Sequence, residues 1–127
     1  AFDPGSHAST FGGNPLAMAA SLATLTVMLE QGIADQCREA GAYLTGELKG
    51  LQKLHAGIRE IRSRGLMIGI QCDADISSLP RDALKEGILL NVIQGAVLRL
   101  VPPLIISRPE CDEAVEKIHK LLREKGM

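Results

Sequence analysis

Ile58-Arg59-Glu60-Ile61-Arg62-Ser63-Arg64-Gly65-Leu66-Met67-Ile68-Gly69-Ile70-Gln71-Cys72 is the stretch in which the period of the chain changes. Upstream, apolar residues recur every three or four positions, the repeat of a helix. Here they begin to alternate, which is the repeat of a strand with one buried face. Ile58 to Arg62 reads as a short edge strand and Leu66 to Cys72 as a more central one, with Ser63-Arg64-Gly65 as the turn between them. Downstream, Ser78 and Pro80 open a short helix that stops at Gly87. Ile88 to Ile93 reads as a third strand, Gln94-Gly95 as a tight turn and Val97 to Val101 as a fourth, so the last two should form a hairpin. Pro102-Pro103 ends the sheet, because proline has no N–H to give a ladder. Ser107 followed by Glu110 makes a capping box for a last helix that turns Ala114, Val115, Ile118, Leu121 and Leu122 inward.

Two helices precede the change of period. Asn14-Pro15 is a helix start: asparagine caps orphan N–H groups, and proline at the first helical position has none to orphan. The helix should run to about Glu30 and stop at Gly32. Its Leu16, Met18, Leu22, Leu25, Val27, Met28 and Leu29 do not keep to one stripe. A helix apolar nearly all round is buried nearly all round, so part of its cover is expected from another domain or subunit. The second helix spans about Ile33 to Lys53, with Ile33, Cys37, Ala40, Leu44, Leu48 and Leu51 on one face. Gly41 and Gly46 weaken it by about 1 kcal/mol each relative to alanine, and close packing is the return expected. The order α-α-β-β-α-β-β-α, dominated by hairpins, predicts an α/β fold of the α+β type. Its mostly antiparallel sheet of four short strands should carry helices on one face. The expected division is an active-site loop over 1–14, two connecting helices over 15–53 and a small α/β domain over 54–127, together one structural unit.

Composition excludes several functions. The chain has 127 residues, 46% hydrophobic but only 2% aromatic, so its core is aliphatic. Net charge is −1 with both signs interspersed, unlike the basic stripe of a nucleic-acid binder. No apolar run approaches the ~20 residues of a membrane span, and no cationic leader precedes a cleavage site. Cys37, Cys72 and Cys111 are odd in number and widely spaced, which speaks against zinc and a disulfide framework and fits a reducing, cytoplasmic compartment. Each reads as a small core residue. The chain opens at Ala1, inside what reads as a loop, which suits a piece of a longer enzyme.

Chemistry concentrates in two places. Gly5-Ser6-His7-Ala8-Ser9-Thr10-Phe11-Gly12-Gly13-Asn14-Pro15 carries hydroxyls, glycines that let backbone approach a ligand, and the positive end of a helix. That set suits a phosphate or carboxylate, although a plain Gly/Ser loop before a helix has the same composition. His7 has no paired carboxylate or second histidine nearby in sequence. Arg99, in Val97-Leu98-Arg99-Leu100-Val101-Pro102-Pro103-Leu104, either points to solvent by alternation or faces a pocket, where its planar fork would grip a carboxylate. Arg59, Arg62 and Arg64 read as surface charges, as does the basic face of the last helix.

Taken together, these motifs resemble the C-terminal part of class III pyridoxal-phosphate aminotransferases. His7-Ala8-Ser9-Thr10-Phe11-Gly12-Gly13-Asn14-Pro15-Leu16-Ala17 is similar to the family's H-G-S-T-F-G-G-N-P-L-A signature, with Ala8 in place of a glycine. Arg64-Gly65-Leu66-Met67-Ile68-Gly69-Ile70 resembles its R-G-x-G-L-M-x-G strand pair, and Gly87-Ile88-Leu89-Leu90-Asn91 with Leu98 to Leu104 complete the pattern. The resemblance implies the small domain of a fold-type I enzyme that uses pyridoxal 5'-phosphate. It implies amino transfer between N-acetylornithine and 2-oxoglutarate in arginine biosynthesis, with ornithine, succinylornithine or 4-aminobutyrate as in-family alternatives. Thr10 then binds the cofactor phosphate of the neighbouring subunit in a homodimer, Ser9 lies near the acylated substrate, and Arg99 binds the substrate α-carboxylate. No metal, nucleic acid or membrane is implied. The family's Schiff-base lysine lies before the H-G-S-T motif, so no catalytic residue is expected within the chain, and the isolated piece should be inactive and bind no cofactor. The competing class is a non-catalytic α/β dimerisation or binding module.

Overall fold

The computed structural model describes residues 3–127. Its elements are α1 (Pro15–Glu30), α2 (Ile33–Leu54), β1 (Ile58–Arg64), β2 (Met67–Cys72), α3 (Leu79–Lys85), β3 (Asn91–Ile93), β4 (Val97–Leu100) and α4 (Arg108–Glu124). Contacts divide the chain into two compact units, one ending at Ala34 and the other spanning Asp35–Met127. All of α2 beyond Ala34 groups with the sheet.

In the first unit, Asn14 caps α1 through its side-chain oxygen, which accepts from the Ala17 N–H at 3.0 Å. The helix ends before Gly32, whose φ of +62° costs a glycine little. No residue of α1 is buried. Leu16 is 81% exposed and Leu25 57% exposed, so the all-round cover expected for this helix is not found among the described residues.

In the second unit the sheet runs β1-β2-β4-β3, every neighbouring pair antiparallel. The chain leaves β2, passes through α3, enters at the far edge as β3 and turns back into the middle as β4. Register sets the two faces. Ile61 stands opposite Ile70, Ile70 opposite Leu98, and Leu98 opposite Val92. Together with Ile68 and Leu100 they form the inner face, covered by Leu44, Leu48 and Leu51 of α2 and Cys111, Ile118, Leu121 and Leu122 of α4. The helices therefore cover one face, as the hairpin-rich order requires.

The register pairs Ile93 with Val97, so the β3–β4 loop is Gln94-Gly95-Ala96; its first two residues have positive φ, +50° and +71°, and Ala96 N–H donates to the Ile93 carbonyl at 3.2 Å. The third strand is shorter than predicted. It was expected from Ile88 but begins at Asn91. Gly87, at φ +72°, ends α3, and the Ile88 N–H bonds back to the Ala83 carbonyl at 3.1 Å while Gly87 N–H bonds to Leu84. A helix C-cap has consumed the amide that a strand start would need. The capping box of α4 forms as predicted: Glu110 N–H donates to Ser107 Oγ at 3.4 Å, and Ser107 N–H donates to Glu110 Oε2 at 2.7 Å.

Gly41 and Gly46 of α2 differ. A Cβ on Gly41 would collide with the backbone of Gly65 in the β1–β2 turn, whereas at Gly46 nothing lies within 4 Å. Close packing explains the first and not the second. Cys72 and Cys111 are buried, and burial pushes both thiols above their usual range. Cys37 is half-buried, with its Sγ 3.3 Å from the Leu104 carbonyl. His55, 2% exposed, is satisfied at both nitrogens: Nδ1 lies 2.7 Å from the Met127 carbonyl and Nε2 2.7 Å from His119 Nδ1. A carbonyl only accepts, so Nδ1 carries a proton, and the contact between Nε2 and His119 Nδ1 takes one proton between the two rings.

Candidate functional site

Of the predicted site residues, Ser9 and Thr10 belong to the first unit and Arg99 to the second. Ser9 and Thr10 are exposed in the loop before α1. Neither hydroxyl makes a hydrogen bond among the described residues. A turn closes behind them, with Gly12 N–H donating to the Ser9 carbonyl at 3.3 Å, and Gly13 follows at φ +76°. A side chain at Gly12 would press on Ser9, with its Cβ 3.0 Å from the Ser9 Cβ. The glycine thus keeps the serine where it stands.

This loop differs from its predicted chemistry in one respect. Backbone amides were expected to supply much of an anion cradle. Gly12 N–H is spent on the turn, Pro15 has none, Ala17 N–H is taken by the Asn14 side chain, and Met18 N–H by the Asn14 carbonyl. Of the first helical amides only Leu16 is left over. The two hydroxyls stand beside the loop amides of Thr10, Phe11 and Gly13, which make no hydrogen bond among the described residues, and the helix end adds its field. Two unpaired hydroxyl donors fit the phosphate end of a cofactor. His7 is exposed in the same loop.

Arg99 lies on β4 between the buried Leu98 and Leu100, so alternation sends its side chain to the outer face, where it is exposed. It is not simply solvated there. Its cross-strand partners are Gly69 on β2 and Asn91 on β3. With Arg62, Gly69, Met67 and Val97 it lines a hollow of about 350 Å³ on that face. The side chain faces away from the core and borders a concavity.

None of the six lysines is buried. Lys85 pairs with Asp82, Lys117 with Glu113, Lys120 with Glu86, and Lys125 with Asp82. An amine activated by desolvation needs an apolar pocket without a neutralising partner; Lys117 borders a hollow with Ile88, Pro103, Ile106 and Ala114, but its amine is tied there to Glu113 at 2.6 Å.

The fold recurs in solved aminotransferases. An ornithine aminotransferase from Toxoplasma gondii, described with partial occupancy of PLP at its active site, superposes with a TM-score of 0.80 at 34% identity. The match covers 96% of this chain and 30% of that one. The family profile described as aminotransferase class-III matches residues 1–122, and the chain belongs to that family. An acetylornithine aminotransferase from Caldanaerobacter subterraneus subsp. tengcongensis is 44% identical over 97% of this chain and 32% of its own length. An ornithine aminotransferase from Staphylococcus carnosus is 43% identical over 94% of this chain and 30% of its own. The chain thus spans about a third of the length of the curated relatives it matches.

Proposed function

We propose that this chain forms part of a cytoplasmic, homodimeric acetylornithine aminotransferase. Such an enzyme transfers an amino group between N-acetylornithine and 2-oxoglutarate in arginine biosynthesis, using pyridoxal 5'-phosphate. The observation that carries the reading is the match of residues 1–122 to the class III family, together with 44% identity to an enzyme of that name. When bound, the cofactor supplies an electron-withdrawing ring that lowers the cost of taking a proton from the amino-bearing carbon. Thr10 holds the cofactor phosphate by its free hydroxyl, in the site of the neighbouring subunit. Ser9 beside it lies near the acyl group of the donor. Arg99 binds the α-carboxylate through parallel N–H bonds, which fixes the amino-bearing carbon rather than reacting with it. Because every lysine of this chain is either exposed or held in a carboxylate ion pair, the chain by itself is proposed to be inactive. A second reading, with ornithine as donor, is favoured by the 43% identity to the Staphylococcus carnosus enzyme.

The test is a donor series with the complete polypeptide that carries this chain. N-acetylornithine, ornithine, succinylornithine and 4-aminobutyrate are each assayed against 2-oxoglutarate. The highest kcat/KM is expected for N-acetylornithine, and a preference for ornithine selects the second reading. No transfer from any donor would leave the non-catalytic module. In the same enzyme Arg99→Gln should lower kcat/KM by about 1.5–3 kcal/mol, the size of a hydrogen bond to a charged group, and unchanged kinetics would return Arg99 to the surface. Turnover by the 127-residue chain alone, mixed with pyridoxal 5'-phosphate, would refute the claim of inactivity.

A further inference from the structure

Where α2 passes the edge strand β1, the layer of helix against sheet is not sealed. A hollow of about 390 Å³ stays open there. Arg38, Thr45, Gly46 and Lys49 line it from α2, brought to one side of the helix by its repeat. Ser63 lines it from β1. Its register partner Ile68 lies in the core, so the pleat turns Ser63 towards the helix layer as well. Thr45 is only 9% exposed, and its hydroxyl has no hydrogen-bond partner among the described residues. A buried hydroxyl left without a partner is unfavourable, and a ligand oxygen arriving in the hollow would relieve it. The helix does not fill the space itself, since a Cβ on Gly46 would meet nothing within 4 Å.

The charge of the hollow has one sign. Arg38 and Lys49 are cationic, and no carboxylate is among the residues that line it. Lys49 makes no ion pair among the described residues. Arg38 is paired with Asp35, but both side chains are 73% exposed, so solvent weakens that pair and the rest of the guanidinium fork stays open.

We infer that this hollow binds a phosphate group, with the Thr45 and Ser63 hydroxyls donating to its oxygens and Arg38 and Lys49 balancing its charge. The donors approach from a helix and from a strand. A tetrahedral oxyanion has oxygens to meet them on several sides, whereas a carboxylate has two in one plane. The hollow leaves room for the carbon part of a small phosphate monoester. None of Ser9, Thr10 or Arg99 takes part, so the site stands or falls apart from the amino-transfer reading.

The 127-residue chain is titrated at about pH 8, where a phosphate group is doubly ionised. Inorganic phosphate and glycerol 3-phosphate are compared with sodium chloride and sodium acetate at equal ionic strength. Binding is followed by NMR at the amides of Thr45, Gly46 and Ser63, and circular dichroism checks that each variant is folded. Both phosphates should give saturable shifts and both control salts none. Thr45→Val should weaken binding about tenfold or more, the loss of a hydrogen bond to a charged group, and Thr45→Ser, which keeps the hydroxyl, should retain it. Arg38→Gln and Lys49→Gln should each weaken it up to about fivefold, as exposed charge contacts do. Gly46→Met, whose side chain fills the hollow, should abolish it, and the remote Arg81→Gln should change nothing. No saturable shift with either phosphate overturns the inference, as does an equal response to chloride or acetate. Binding that survives Thr45→Val or Gly46→Met also overturns it, and Gly46→Met decides alone if Thr45→Val does not fold.

Discussion

Replacing Gly41 and Gly46 of α2 by alanine, one at a time, should change stability in opposite directions. Both sit inside the same helix, so both gain the same propensity, about 1 kcal/mol. Their surroundings differ. At Gly46 the added methyl meets open space, and the gain stands alone. At Gly41 the methyl would lie 3.0 Å from the Gly65 Cα and closer still to its carbonyl group. These are backbone atoms of a turn held by its own φ of +55°, with no side-chain end to swing aside. Relief requires the helix and the β1–β2 turn to separate by roughly an ångström. Overpacking of this kind costs about 1–3 kcal/mol, and a backbone opponent argues for the upper half of that range. The net effect at Gly41 is then a loss of about 1–2 kcal/mol against a gain of about 1 kcal/mol at Gly46. Thermal unfolding followed by circular dichroism reads this as shifts of about 4–8 °C per kcal/mol for a unit of this size. Gly50, which also faces open space, should behave like Gly46. Equal stabilisation by Gly41→Ala and Gly46→Ala would refute the reasoning, because the propensity term would then be the whole effect.

Three further outcomes follow from the second unit. Hydrogen bonds from Lys125 and Lys85 hold the Asp82 carboxyl down at about 2, below its ordinary 3.8. Its contribution to stability is therefore present above pH 4 and lost as pH falls towards 2, and Asp82→Asn should flatten that part of an acid unfolding profile. Ser107→Ala removes the cap of α4 and should cost about 1 kcal/mol by denaturant unfolding. It should also let the Glu110 carboxyl, held low by the Ser107 backbone N–H and then by its hydroxyl, rise only part of the way in an NMR titration, because the backbone N–H survives the substitution. Thr45 buries a hydroxyl that has no hydrogen-bond partner among the described residues. Thr45→Val keeps the shape and discards the unpaired group, so the melting temperature should hold or rise rather than fall.

Local chemistry made the order of elements legible. Asn14-Pro15, the Ser107–Glu110 box and the alternation in Ile68-Gly69-Ile70 are rules written within a few residues, so the sequence by itself determined where helices start and which strand faces are apolar. The family likeness was legible for the same reason, since its motifs are short runs. The start of β3 was not. Ile88 has a strand-like side chain, but its amide was already claimed by the α3 C-cap, a competition visible only once the Ala83 carbonyl has a position. Nor could the sequence separate Gly41 from Gly46, since a glycine's neighbour across space has no local signature. The site divides the same way. Ser9, Thr10 and Arg99 could be named as residues, and tertiary structure decided what each has available: which loop amides are spent, and which face Arg99 occupies. Arg62 read as one surface charge among several. Only the pairing of β1 with β2 and β2 with β4 puts it in a row with Arg99 across a bare glycine, because sheet register joins residues that are thirty or more positions apart in the chain.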